Sequence, residues 1–156
     1  MTAALVTAAL LGIGGLGYCT FLGFLASTPE DIARHVSFGI FFTLITLLAH
    51  SMTMFYLIGK GKAIREAATE AGLPEGIHLA VARARRPVFS WGTLAMALTM
   101  LAAILGGGVD TGVLAAGIHS SVAVLALLAN FFVFKLELLA LATAADSTAE
   151  VNRQVE

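Results

Sequence analysis

The sequence predicts an all-α protein, an integral membrane four-helix bundle with up-down-up-down topology. Three observations predict it. Of 156 residues, 58% are hydrophobic and only 12% charged, with a mean hydropathy of +0.91, outside the balance of an ordinary soluble domain. The apolar residues fall into four runs of membrane-crossing length, near residues 3–26, 36–59, 88–105 and 113–134. The connections alternate between short turns and one long basic segment, residues 60–87, and short connections make successive helices antiparallel neighbours.

The first run has no lysine or arginine before it, so it lacks the basic region of a secretory signal and is expected to stay as a membrane helix. It carries Gly12, Gly14, Gly15, Gly17 and Gly23. Small residues at this spacing let another backbone, or a flat cofactor, come close. Ser27-Thr28-Pro29-Glu30-Asp31 then has the form of a helix start: a hydroxyl N-cap, proline in the first turn, and carboxylates facing the positive end of the helix dipole.

The second run, Val36 to Gly59, has no charged side chain and contains His50. A hydrocarbon core of roughly 30 Å takes about 20 residues at ~1.5 Å each, so this run is long enough to cross it. Good helix formers carry the helix on to about Ala71, with Gly72 as its cap. Leu73-Pro74 breaks it, and Glu75 to Arg86 starts a separate helix near the interface, with a kink expected at Pro87.

The third run brings Trp91 to the boundary, and Gly106-Gly107-Gly108 are expected to end it and form the outer turn. Asp110 or Thr111 is expected to cap the fourth, with Lys135 and Glu137 at its inner boundary and residues 138–156 a cytoplasmic tail that continues as helix and frays in its polar end. Lys60, Lys62, Arg65, Arg83, Arg85 and Arg86 are six of the nine basic residues. By the positive-inside rule their segment is cytoplasmic, which puts both termini there too and the chain in the plasma (inner) membrane. Flanking anchors explain the basic cluster, so no nucleic-acid partner is implied.

The sequence has no Walker loop, no HExxH and no nucleophile elbow. A single cysteine, Cys19, excludes an internal disulfide and a cysteine-only metal site. Apart from histidine, the spans offer hydroxyls, Cys19, Asn130 and methionines, a poor set for a pump or transporter. The histidines remain: His35 and His50 on the second helix, His119 on the fourth, and a solvated His78. Neutral imidazole is a good ligand for haem iron or a transition metal, and facing helices of a bundle are a suitable frame.

Depth leaves the pairing open. Counting inward from Lys60 and Lys135 puts His50 and His119 about 9 Å apart in height at ~1.5 Å per residue, whereas counting from the outer helix starts makes His35 and His119 nearly level. Histidines on two helices of a four-helix bundle, with glycines on a neighbouring helix, resemble the membrane cytochromes b. The resemblance implies haem b, electron transfer, and axial ligation by His50 and His119, with His35 the alternative. It also leaves a place for a quinone beside the haem.

Two other readings compete with an electron-transfer role. One is a cofactor-free accessory or scaffold subunit packing on other membrane subunits, or on copies of itself, within the bilayer. The other is a copper-handling protein, since Met52, Met54, Met96 and Met100 lie near the depth of His50, and thioether with imidazole suits copper(I). A stand-alone enzyme is the weaker expectation.

Overall fold

The computed structural model describes residues 1–74 and 76–155. It contains four helices: α1 (Thr2–Leu25), α2 (Pro29–Glu70), α3 (Gly76–Asp110) and α4 (Ala116–Val155). Each is long and apolar enough to cross a membrane by length and composition. Among the described residues there is no strand.

Local chemistry sets the helix ends. Thr28 caps α2: its hydroxyl oxygen accepts from the Asp31 N–H, and the Asp31 side chain accepts from the Thr28 N–H, with Pro29 at the first position. This reciprocal box is what the sequence predicts. Gly72 has φ of +65°, and its N–H and that of Leu73 donate back to Thr69 and Ala68, which satisfies two carbonyls of the last turn. Gly112 (φ +74°) repeats the arrangement beyond α3, with N–H groups of Gly112 and Val113 on Val109 and Gly108.

That second turn corrects the sequence reading. Gly106, Gly107 and Gly108 lie inside α3, and Asp110 ends α3 rather than capping α4. The chain reverses over residues 111–115. The interfacial helix expected from Glu75 is not a separate element either: from Gly76 onward it is continuous with α3 through Pro87, while Glu75 itself lies outside the described residues. The helix expected to continue past Leu138 does so. Residues up to Val155 continue α4, with Ala140, Leu141, Ala144, Ser147 and Val151 buried.

Successive helices run antiparallel, as their cross-contacts show. On α1 and α2, Gly12 lies against Thr46 and Gly23 against His35. A Cβ on Gly12 would stand 2.7 Å from Thr46 Oγ1, and one on Gly15 would enter the Phe42 ring, whereas Gly14 and Gly17 have nothing within 4 Å. Part of the glycine run is thus a close-packing seam. Between α2 and α3, Met54 fills the notch at Gly92, and between α3 and α4, Trp91 meets Phe132 edge-on at 5.3 Å. The diagonal pair α2 and α4 also touch, while α1 and α3 do not meet among the described residues.

The distribution of polarity is inverted. Phe21, Phe41, Leu48, Phe55, Ile104 and Phe131 are exposed, while His50, Thr46, Thr53, Thr99, Asn130 and Glu137 are buried. The apolar part of the interior is built by Leu57, Ile64, Ala68, Val81, Val88, Leu141 and Val151, where α2, α3 and α4 pack together.

Candidate functional site

Two polar clusters bridge α2 and α4. They share one helix register: His35 faces His119, 84 positions on, and His50 sits between Asn130 and Glu137, 80 and 87 positions on.

In the first cluster, the rings of His35 and His119 lie 6.0 Å apart between centroids, with their planes at 73°. His35 Nδ1 is 3.0 Å from the Cys19 carbonyl oxygen on α1 and 3.4 Å from Cys19 Sγ. His119 Nδ1 is 3.0 Å from the Ala102 carbonyl oxygen on α3. A carbonyl oxygen only accepts, so each Nδ1 carries the proton and each Nε2 keeps its lone pair. Among the described residues nothing hydrogen-bonds either Nε2. Imidazole oriented through Nδ1–H by a backbone carbonyl is the arrangement that readies Nε2 for a metal.

The glycines on the flanking helices are part of this placement. A Cβ on Gly23 would come within 2.8 Å of His35 Cε1, and one on Gly106 within 3.2 Å of His119 Cε1. Larger residues at either position would push the ring out of its place. Both histidines are half-buried, near the 26–28 and 111–115 connections.

The centroid separation lies within the span that two imidazoles on one metal ion would have. Two metal–nitrogen bonds of ~2.0–2.1 Å put imidazole centroids roughly 5–6.5 Å apart, depending on the angle at the metal. Among the described residues no group of three or more His, Cys, Asp or Glu side chains is arranged to hold an ion. The donor set therefore suits a metal that needs only two protein ligands: haem iron, which brings four nitrogens of its own, or two-coordinate copper(I).

The second cluster is fully buried, with His50 and Asn130 at 0% exposure and Glu137 at 2%. His50 Nδ1 lies 2.8 Å from Glu137 Oε1, and Nε2 lies 2.8 Å from Asn130 Oδ1. Asn130 Nδ2 donates to Thr99 Oγ1 at 2.8 Å and to the Ala126 carbonyl at 2.7 Å. Thr99 in turn donates to the Ala95 carbonyl. Glu137 Oε2 has no hydrogen-bond partner.

These positions revise the sequence-based site. His50 and His119 are not brought together; the fourteen or more residues that part them along the shared register amount to about 20 Å at ~1.5 Å per residue. Both His50 nitrogens are engaged by side chains, so His50 does not present a free ligand atom. The methionine set does not assemble around it: Met54 packs into Gly92, Met96 Sδ receives the Ser51 hydroxyl at 3.7 Å, and Met52 and Met100 are exposed. His35, the alternative partner, is the one that meets His119.

Glu137 is the functional side chain the sequence reading missed. It was assigned to the boundary beside Lys135, yet the register sets this stretch of α4 level with His50, and only Lys135 is exposed. A signal was present: Ala126, Asn130, Val133, Glu137 and Ala140 recur at intervals of three and four, one helix face with two polar members.

Comparisons with known protein families, curated proteins and solved structures return no match.

Proposed function

We propose that the chain is a small redox protein of the plasma (inner) membrane, with His35 and His119 as the axial ligands of a haem b and electron transfer as its role. The observation that carries this reading is the facing pair of imidazoles, each tied through Nδ1–H to a backbone carbonyl on a third helix. The inverted polarity supports the membrane: charged and polar groups in hydrocarbon are tolerated facing a bundle interior, and large apolar side chains are stable facing lipid. The basic residues at the α2–α3 end favour the cytoplasmic side for that end, and with it for both termini.

With this orientation the imidazole pair lies near the outer ends of α2 and α4. Haem iron there would supply one-electron chemistry. The chain's own residues set its surroundings: the Cys19 and Ala102 carbonyls hold the rings. The position favours a partner on the outer side, a quinone or another membrane subunit.

A second reading, copper(I), is favoured by a different observation. Gly23 and Gly106 close against the ring edges, so an ion enters without displacing α1 or α3, whereas a porphyrin requires these outer ends to part.

The test is a reduced-minus-oxidised absorption spectrum with pyridine-haemochrome quantitation and metal analysis, on protein purified in mild detergent from haem- and copper-supplied cells. A stoichiometric b-type spectrum, lost in His35→Ala and His119→Ala and kept in His50→Gln, supports haem. Copper at one per chain with the same dependence selects the second reading. Colourless, metal-free, folded protein that co-purifies with larger subunits overturns both in favour of a cofactor-free scaffold.

A further inference from the structure

Hydrogen-bond accounting in the buried cluster fixes where its protons are. Both N–H groups of Asn130 are committed, one to the Ala126 carbonyl and one to Thr99 Oγ1, whose own proton goes to the Ala95 carbonyl. Asn130 therefore offers only its oxygen to His50, and His50 Nε2 must be the donor. The remaining contact, Nδ1 to Glu137 Oε1 at 2.8 Å, then holds a single proton. Whether that proton sits on the imidazole or on the carboxyl, the pair is neutral as a unit. Without it, a lone pair would face a carboxylate oxygen inside an apolar bundle, which is the less favourable state at rest.

From this geometry we infer that His50 and Glu137 form a proton-exchange site in the bundle core. The proton shared by Nδ1 and Oε1 is the one exchanged. The other polar side-chain atoms of the cluster are hydrogen-bonded, while Glu137 Oε2, the second oxygen of the proton-bearing carboxyl, is buried without a partner. An unpaired buried oxygen carries a desolvation cost that packing alone does not call for. An open lone pair on the carboxyl is the position through which a proton is delivered by, or passed to, a water molecule. In the exchange, the carboxyl takes the shared proton as an O–H and turns about Cγ–Cδ so that this O–H stands where Oε2 was. The O–H bond then breaks to a water molecule, which leaves as hydronium, and the dyad keeps one negative charge until a proton returns by the reverse path.

The surroundings isolate this group. At the level of His50, α1 contributes Ala9 and Leu5, and α3 contributes Ala95, Met96 and Thr99, none of them titratable. On α4 the neighbouring charge is Lys135, exposed and two positions from Glu137. The site does not touch His35 or His119, so it stands or falls independently of the metal reading.

The experiment is solid-state NMR of the full-length protein in lipid bilayers, with 15N-histidine and 13C-glutamate labels, over a pH series in which the helical amide signals stay constant. His50 is assigned by its loss in His50→Gln and Glu137 by its loss in Glu137→Gln, or in Glu137→Asp should the glutamine variant not fold. The expected result is one reversible transition in which the His50 Nδ1 and Glu137 carboxyl resonances move together, with Nε2 remaining protonated throughout. Constant resonances across the series, or two separate transitions, would overturn the proposal and leave the cluster a fixed polar clasp.

Discussion

His50 Nδ1 and Glu137 Oε1 meet at 2.8 Å, with both residues withdrawn from the surface and 87 positions apart in sequence. The contact closes α2 onto its diagonal neighbour α4. Its members have few substitutes: nothing else in reach is titratable, and one carboxyl oxygen already lacks a partner.

Removing one member of this pair is expected to cost more than removing both. Glu137→Ala strands a buried imidazole nitrogen and should destabilise the fold by about 3–5 kcal/mol, whereas joint replacement by leucines should restore most of that. A double-mutant cycle by reversible unfolding in mixed micelles reads the difference. Equal losses in the single and double variants would show that packing, not pairing, dominates.

The α1–α2 seam gives a positional prediction. Gly12→Leu forces a side chain into Thr46, and should cost about 1–3 kcal/mol through strain and separation of the helices. Gly14→Leu, on a face with open space, should change stability by less than about 0.5 kcal/mol. Thermal unfolding of the two variants side by side checks this contrast.

Gly23 and Gly106 should control metal occupancy rather than folding. A Cβ at Gly23 would stand 2.8 Å from the His35 ring and one at Gly106 3.2 Å from the His119 ring, so Gly23→Ala is expected to lower haem or copper retention the more and Gly106→Ala the less, while far-ultraviolet circular dichroism stays unchanged. Gly17→Ala, with nothing near it, serves as the control. Retention equal in all three would contradict the placement of the ligands.

The start of α2 should be acid-sensitive. The Thr28 hydroxyl at 2.7 Å, with the backbone N–H groups of Thr28 and Ser27, holds the Asp31 carboxyl below its ordinary range. A lowered folded-state value means that this contribution is present above the unfolded value and is lost as pH falls through the folded one. Thr28→Ala should cost about 1 kcal/mol at neutral pH. The protection factor of amides in the first turn of α2, exchange rates being corrected for the intrinsic pH dependence, should fall on acidification in the wild type and fall less in Asp31→Asn.

The helices were legible because their signals are local. A hydroxyl, proline and two carboxylates from Thr28 to Asp31 define a start, and apolar runs define spans. The α3–α4 turn was misplaced because three consecutive glycines look like a break, although tertiary packing holds them in α3 and the left-handed residue is Gly112. The site was harder to read. In helices apolar on every side, periodicity does not reveal which face turns inward. Lys135, taken as a depth marker, instead lies level with the core and shifted the apparent height of everything on α4. Counting from the outer starts gave the correct neighbour for His119, because Thr28 and the short outer turns anchor both helices there.

The common offset of the two α2–α4 clusters has a mechanical consequence. Because His35–His119 and His50–Glu137 join the same two parallel helices, they read a single coordinate, the axial position of one rod against the other. A piston displacement by one helical turn, about 5.4 Å, would disengage the imidazole pair and the proton-bearing pair in the same stroke. The two clusters act as the paired marks of a vernier: aligned together, or misaligned together.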